Sequence, residues 1–487
     1  MQPSVTGLIV CLAILLVARK MGDALLIGAL ASLAFGATAI ATLPSLGGAS
    51  PLIYTAFTGA LIATIVLRRH MWRDLGQVFG SSRAYWILVV LMAYALFGSW
   101  MLPRLYTGQA SVFVQAATRG GVVESTLAPV SGNTTQTGYF IIGGLASIAL
   151  ATLLLHGGRM RSIGRGFIAL CVLQAGMGLV DVVGKLGGLG DVLAPIRTAN
   201  YAMLTDVTEA GFVRIAGGYS EASGYAAASL STLAFAFTYW RRTGSRPVLA
   251  LWLIQLVLLL VSTSSTAYAG LAILGSVAAV TTANSIIRHG MHPQDLFLLI
   301  LFAISAIVVL GVVVVDPSVL DPVLRLYDST IASKTGSASA QERAYWNRVS
   351  IRSLVQTDGL GVGLGSSRAS SWIIAVLSQL GVAGALLVGL LVAVVVRGVG
   401  SAYERFLDAE TSTVVAAARS AALASLAAAS ISAGTADPGV LFFFALAVVV
   451  TARASATAGA GGRAAATNGR AFRVATPGRA AMTLRAS

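Results

Sequence analysis

The amino-acid sequence predicts an all-α polytopic membrane protein with about 12–13 transmembrane helices. Two observations lead there. Of 487 residues, 56% are apolar and only 10% are charged, whereas a soluble chain carries about a quarter charged residues. The apolar residues also fall into blocks of about 15 to 22, the length at which a helix spans the hydrocarbon of a bilayer. Within lipid the backbone must satisfy its own hydrogen bonds, so these blocks are read as helices. Barrel strands would alternate polar with apolar at every second residue, and these blocks do not.

The blocks place helices at 5–18, 22–42, 51–67, 84–101, 139–156, 166–184, 221–239, 247–262, 266–286, 295–315, 372–396, 412–432 and 438–452. The first block lacks the basic leader and cleavage site of a signal peptide, so it is read as a helix. Residues 1–452 form one membrane domain with long external loops at 102–138, 185–220 and 316–371. Residues 453–487, rich in Ala, Gly, Thr and Arg, read as a disordered basic cytoplasmic tail in reach of anionic head groups.

Charge orients the chain. One alternating set of loops, with the tail, holds 21 of the 33 Lys and Arg; the other set holds 11, and Arg419 lies within a helix. Short cytoplasmic loops are enriched in Lys and Arg, so the N-terminus is placed outside and the C-terminus in the cytoplasm. Membrane orientation accounts for most of the net charge of +15, and no nucleic-acid partner is inferred. Cys11 and Cys171 fall inside apolar blocks and read as buried thiols. The four histidines are all on the cytoplasmic side; His289 and His292 have metal-ligand spacing without a third ligand nearby, and read as part of a solvated loop.

The external loops hold the informative residues. Lys185, Arg197, Arg214, Arg325, Lys334, Arg343, Arg348, Arg352 and Arg368 lie there against the positive-inside bias. A guanidinium binds phosphate oxygens in pairs and keeps its charge; the alternative use is ion pairing with Asp206, Glu209, Glu221, Asp328, Glu342 and Asp358. Residues 341–355 have helical periodicity, with Trp346, Val349 and Leu354 facing the membrane domain and Arg348 and Arg352 one turn apart. The run Gly361-Val362-Gly363-Leu364-Gly365 either brings backbone amides to an anion or is a plain flexible return to the bilayer.

Arg214-Ile215-Ala216-Gly217-Gly218-Tyr219-Ser220-Glu221-Ala222 resembles the Arg-x-x-Gly-x-(Phe/Tyr)-x-Glu-(Pro/Ala) stretch that opens a helix in O-antigen ligases and Wzy-type polysaccharide polymerases. Glu342-Arg343-x-x-Trp346, followed by Gly361-x-Gly363-x-Gly365, resembles the large external loop of that family. The polar run Ser262–Thr266 fits as well, without the arginine often found in it. The resemblance covers roughly 205–395. In one respect the chain departs from it: counting back from Gly381-Val382-Ala383-Gly384, the slot in which the ligases carry histidine is Ser370. That favours the exopolysaccharide or capsule polymerase branch over the ligases.

The resemblance implies a metal-independent glycosyltransferase without a cofactor. Its donor would be an undecaprenyl-pyrophosphate-linked oligosaccharide, its acceptor a sugar hydroxyl, and its location the outer face of a bacterial cytoplasmic membrane. The lipid tail would lie in a lateral groove between helices, membrane lipid is a further partner, and a chain-length co-polymerase is one such an enzyme could take. By the same resemblance Arg214 and Arg343 would stabilise charge on the departing pyrophosphate, and Glu221 is the first choice for the base. Arg348, Arg352, Arg368, Trp346, Glu342, Gly363, Gly365 and Ser370 are the candidate substrate-binding residues. The alternatives are ligase-type transfer to another acceptor and a lipid-linked oligosaccharide flippase.

Overall fold

A computed structural model describes residues 2–46, 48–115, 122–155, 159–205, 208–209, 212–315 and 338–474. Arg325, Lys334, Asp206 and Asp328 lie outside them, as does the tail after Val474. The chain is an all-α polytopic membrane protein. Among the described residues seven helices have the length and hydropathy to cross a bilayer, and four shorter apolar helices accompany them.

Helix α1 (Val5–Met21) is capped by the Ser4 hydroxyl, which accepts from the Gly7 amide at 3.1 Å. Its outer face presents Val5, Leu8, Ile9, Leu12, Leu16 and Val17, an apolar stripe that only lipid would solvate. Helix α2 (Ala24–Ala31) continues as a 3-10 turn to Ala34 and then stops. The expected helix to residue 42 is therefore shortened. Beyond Ala34 the backbone bonds sideways: Ala37 N–H donates to Gly218 O at 2.9 Å, and Thr38 Oγ1 donates to Ile196 O at 2.7 Å. Gly36 faces Tyr219 so closely that a Cβ would lie 2.1 Å from the ring.

Helices α3 (Ile53–Val66), α4 (Met71–Ser81) and α5 (Arg83–Leu105) follow. The α4 helix sits in a stretch read only as a connection. Val78 is buried and Trp72 is 80% exposed, and this Trp72, Leu75, Val78, Phe79 spacing is the legible sign of an interfacial amphipathic helix. A hairpin of β1 (Ser111–Gln115) and β2 (Val122–Thr126) separates α5 from α6 (Ser131–Leu155). Then come α7 (Met160–Leu186), α8 (Ala222–Thr243), α9 (Arg246–Val261), α10 (Ser265–His289) and α11 (Pro293–Val315). Helix α12 (Ala338–Gln356) is the expected amphipathic element of the last loop, and α13 (Trp372–Arg397) leads back into the bundle.

A four-residue turn, α14 (Ser401–Glu404), precedes α15 (Ala409–Ser432) and α16 (Val440–Val474). The closest packing joins α8 to α15, where the alanines and serines of α15 let two backbones approach. Residues 442–450 of α16 are buried without interruption, which makes this helix the centre of the bundle. The helix also runs through 453–474, where disorder was expected; alanine-rich chain has high helix propensity.

Long connections gather at one end of the bundle and short basic ones at the other. At the short end Arg161 pairs with Glu410 at 2.9 Å, Arg242 with Glu404 at 2.7 Å, Arg159 with Asp23 at 3.3 Å, and Arg241 with Asp295.

Candidate functional site

The loop-rich end is built by three interlocking devices. The first is a buried ionic knot. Asp181, near the end of α7, is 1% exposed and accepts four hydrogen bonds: from Ala216 N at 2.7 Å, Gly217 N at 3.0 Å, Lys185 Nζ at 3.2 Å and Arg197 Nη2 at 3.3 Å. Lys185 Nζ also donates to Thr205 O and to Arg214 O, each at 2.8 Å, and Arg197 pairs with Asp191 and donates its Nε to Gly217 O at 3.0 Å. Two of the loop cations are thus structural. They pair with Asp181 and Asp191, acids absent from the expected partners, and hold the Arg214–Gly218 segment in place.

The second device corrects a sequence expectation. Gly361, Gly363 and Gly365 all have positive φ, between 81° and 88°, and their amides serve the protein rather than a ligand. Gly361 N–H donates to Thr357 Oγ1 at 3.1 Å, Gly363 N–H to Gln379 O at 3.0 Å and Gly365 N–H to Gln379 Oε1 at 2.9 Å. Val362 N–H takes Ser378 O at 2.8 Å. Those carbonyls are free because α13 is broken at Gly381, whose φ of 66° and ψ of −173° leave the helix there. A Cβ on Gly381 would come within 2.3 Å of Leu360 O, and one on Gly365 within 2.2 Å of Gly132 O. The glycine run is a wedge seated in a broken membrane helix, where protein partners satisfy the irregular backbone. Gly363 and Gly365 hold this wedge, their amides engaged by Gln379.

The third device positions Arg368. Its amide donates to Phe113 O at 2.9 Å, while Phe113 N–H donates to Ser367 Oγ at 3.3 Å, so the β1–β2 hairpin clasps this part of the loop. The Phe113 ring lies 5.8 Å from both Tyr345 and Trp346, centroid to centroid. Trp346 is thus a packing residue between helix and hairpin. Ala369 N–H donates to Gly434 O at 3.2 Å, Ser370 N–H to Asn347 Oδ1 at 2.9 Å and Trp372 Nε1 to Ala436 O at 3.2 Å. Gly434 leaves room for the Arg368 side chain: a Cβ there would meet its Nε at 3.3 Å.

Burial lowers the pKa of the Arg368 guanidinium from its ordinary value, and the charge of Glu221 acts in the opposite sense. These two residues, far apart along the chain, are thus within electrostatic range of one another. Glu221 is exposed, directly precedes the first turn of α8 and accepts from Ser223 Oγ at 2.6 Å; an acid is favoured at a helix N-terminus. Sequence reasoning missed a neighbour. Asp437, in the 433–439 connection, accepts from Gly439 N–H at 2.8 Å, and burial raises its carboxyl from 3.8 to about 6. Tyr54, Tyr139 and Tyr201 lie in electrostatic reach of one another, with Asp437 in reach of Tyr54, and Tyr201 Oη donates to Gly36 O at 2.8 Å. The only legible signal was a lone acid in a short helix connection of an acid-poor chain.

The other sequence-predicted residues divide by helical face. Arg343 is half-buried, one turn before Asn347, and so lies on the side of α12 that carries the contact to Ser370. Arg348, Arg352 and Glu342 are exposed, and the two arginines lie near Tyr345, whose hydroxyl donates to Glu124 at 2.8 Å. The Ser262–Thr266 run forms the α9–α10 junction, where Thr263 is buried with φ of 50°. Among the described residues no group of His, Cys, Asp and Glu is arranged to hold a metal ion. No family model, curated protein or solved structure matches the chain.

Proposed function

We propose that this protein is a polysaccharide repeat-unit polymerase. It transfers a glycan from an undecaprenyl-pyrophosphate-linked donor to a sugar hydroxyl, at the outer face of a bacterial cytoplasmic membrane. The orientation behind this reading puts the loop-rich end outside, because short basic connections are retained in the cytoplasm. The observation that carries the reading is that Arg368, where the 357–371 and 433–439 connections meet, lies within electrostatic range of Glu221 at the start of α8. A partly buried cation beside an exposed carboxylate suits a reaction in which a diphosphate leaves as a hydroxyl attacks.

In that reaction the acceptor oxygen bonds to the anomeric carbon and the bond from that carbon to the pyrophosphate oxygen breaks. The acceptor proton passes to a carboxylate, with Glu221 the first choice and Asp437 the second. Arg368, together with Arg214 and Arg343, lowers the barrier by stabilising charge on the leaving diphosphate; loss of one such donor costs about two to three orders of magnitude in rate. Low local dielectric at a partly buried guanidinium strengthens that stabilisation.

The test is incubation of purified protein with a lipid-linked repeat unit, without added metal, followed by product sizing. A ladder of lengthened glycans is expected, and Arg214→Ala, Arg343→Ala and Arg368→Gln should each abolish it while the protein still reaches the membrane. Full-length ladders from all three variants would refute the role of the cations. Transfer of one unit to a different acceptor would indicate a ligase, and lipid flux without lengthening a flippase.

A further inference from the structure

A second cluster of arginines lies at the opposite end of the bundle, among the short basic connections. Arg242, Arg397 and Arg419 line a cavity of about 130 Å³ together with Ser401, Glu404 and Ser412. They come from three elements: Arg242 from the last turn of α8, Arg397 from the last residue of α13, and Arg419 from the interior of α15. Arg419 lies ten residues into its helix, about 15 Å along the axis, and its half-buried side chain reaches back to this cavity. Gly398 makes the space: with φ of 56°, it would place a Cβ only 2.5 Å from Arg419 Nη1.

The lining is not electrically balanced. Glu404 is its single acid, and Arg242 at 2.7 Å and the Ser412 hydroxyl at 2.5 Å already engage it. Neither Arg397 nor Arg419 makes a hydrogen bond or ion pair with a described residue. A fourth guanidinium, Arg453, stands behind them and is occupied by backbone, donating to Val394 O at 2.8 Å and to Gly398 O. One carboxylate thus serves three guanidinium groups: Glu404 attracts Arg419, but Arg242 repels it and burial costs it hydration. An anion in the cavity removes both costs. A guanidinium pair with flanking serine hydroxyls matches the oxygens of a phosphate group, which arginine grips two at a time.

We propose that this cavity is a phosphate-binding site, distinct from the loop-rich end and independent of the glycan-transfer reading. Its phosphate comes either from a lipid head group at that membrane surface or from a dissolved phosphate compound. Full-length protein in detergent would be tested with two probes: inorganic pyrophosphate by equilibrium dialysis, and phosphatidylglycerol against phosphatidylcholine by native mass spectrometry. Arg397→Gln and Arg419→Gln should each weaken binding of the active probe at least tenfold. Arg397 is exposed, so its variant keeps the bundle intact, as an unchanged thermal midpoint would verify. Pyrophosphate binding alone identifies a dissolved ligand, and selective retention of phosphatidylglycerol identifies a head group. The proposal fails if neither probe binds wild type, or if both variants bind as wild type does.

Discussion

Asp181→Asn tests the ionic knot that holds the Arg214 segment. The change keeps the shape of the side chain and removes its charge. Among the described residues it leaves Arg197, 2% exposed in its side chain, with Asp191 as its carboxylate partner, and Lys185, 8% exposed, with none. An Asn amide nitrogen also cannot accept from either cation. Breaking a buried pair by removing one member costs about 3–5 kcal/mol. At 1.36 kcal/mol per factor of ten, the segment should open roughly 10²- to 10⁴-fold more often. Hydrogen exchange read by mass spectrometry is the assay. The amides of Ala216 and Gly217, which donate to Asp181, should lose protection by that factor, while peptides from α6 stay as in wild type. Protection of residues 212–220 within about threefold of wild type would refute the idea that Asp181 carries this segment.

Other perturbations address the remaining devices. Gly365→Ala puts a Cβ 2.2 Å from Gly132 O at a φ of 81°; the backbone conformation alone costs about 1–2 kcal/mol, and the clash adds to it, so the yield of folded protein should collapse in detergent gel filtration. Phe113→Ala empties a site 4% exposed against Tyr345 and Trp346 at a cost of about 3 kcal/mol or more. The β1–β2 hairpin should then become protease-sensitive and glycan transfer should fall, whereas Tyr345→Phe, which loses only an exposed hydrogen bond to Glu124, should leave both unchanged.

Asp437 makes stability depend on pH. Because folding raises its carboxyl from 3.8 to about 6, its contribution is fully present below pH 3.8 and is lost as pH rises through 6. The loss is of the order of 3 kcal/mol at most. Asp437→Asn should flatten that part of the denaturation profile between pH 4 and 7, and a profile matching wild type would contradict it.

Much of the fold was legible because hydropathy reports directly on the solvent. Each of the thirteen apolar blocks corresponds to a helix, and the amphipathic spacing of 341–355 marked α12. The blocks could not show where a helix stops for tertiary reasons. Helix α2 ends at Ala34 because loop residues 196–218 take up the next backbone groups, and α13 breaks at Gly381 because the glycine wedge fills the gap. Neither event leaves a mark on local hydrophobicity.

The site divides in the same way. Residue chemistry put Arg214, Arg343 and Arg368 among the cations that need a purpose on long loops of a charge-poor chain, and Glu221 among the acids that could pair with them; the motif resemblance then picked out Arg214 and Arg343. Composition and hydropathy alone determined that this is a membrane protein with a set of cations in its three long connections. Only the tertiary structure decided that Lys185 and Arg197 answer to Asp181, that the glycine amides are already occupied, and that Arg368 lies within electrostatic range of Glu221. Hydrophobicity is additive along a chain and can be read one segment at a time. Charge pairing and backbone satisfaction depend on which distant segments meet, and that is settled only when the helices pack.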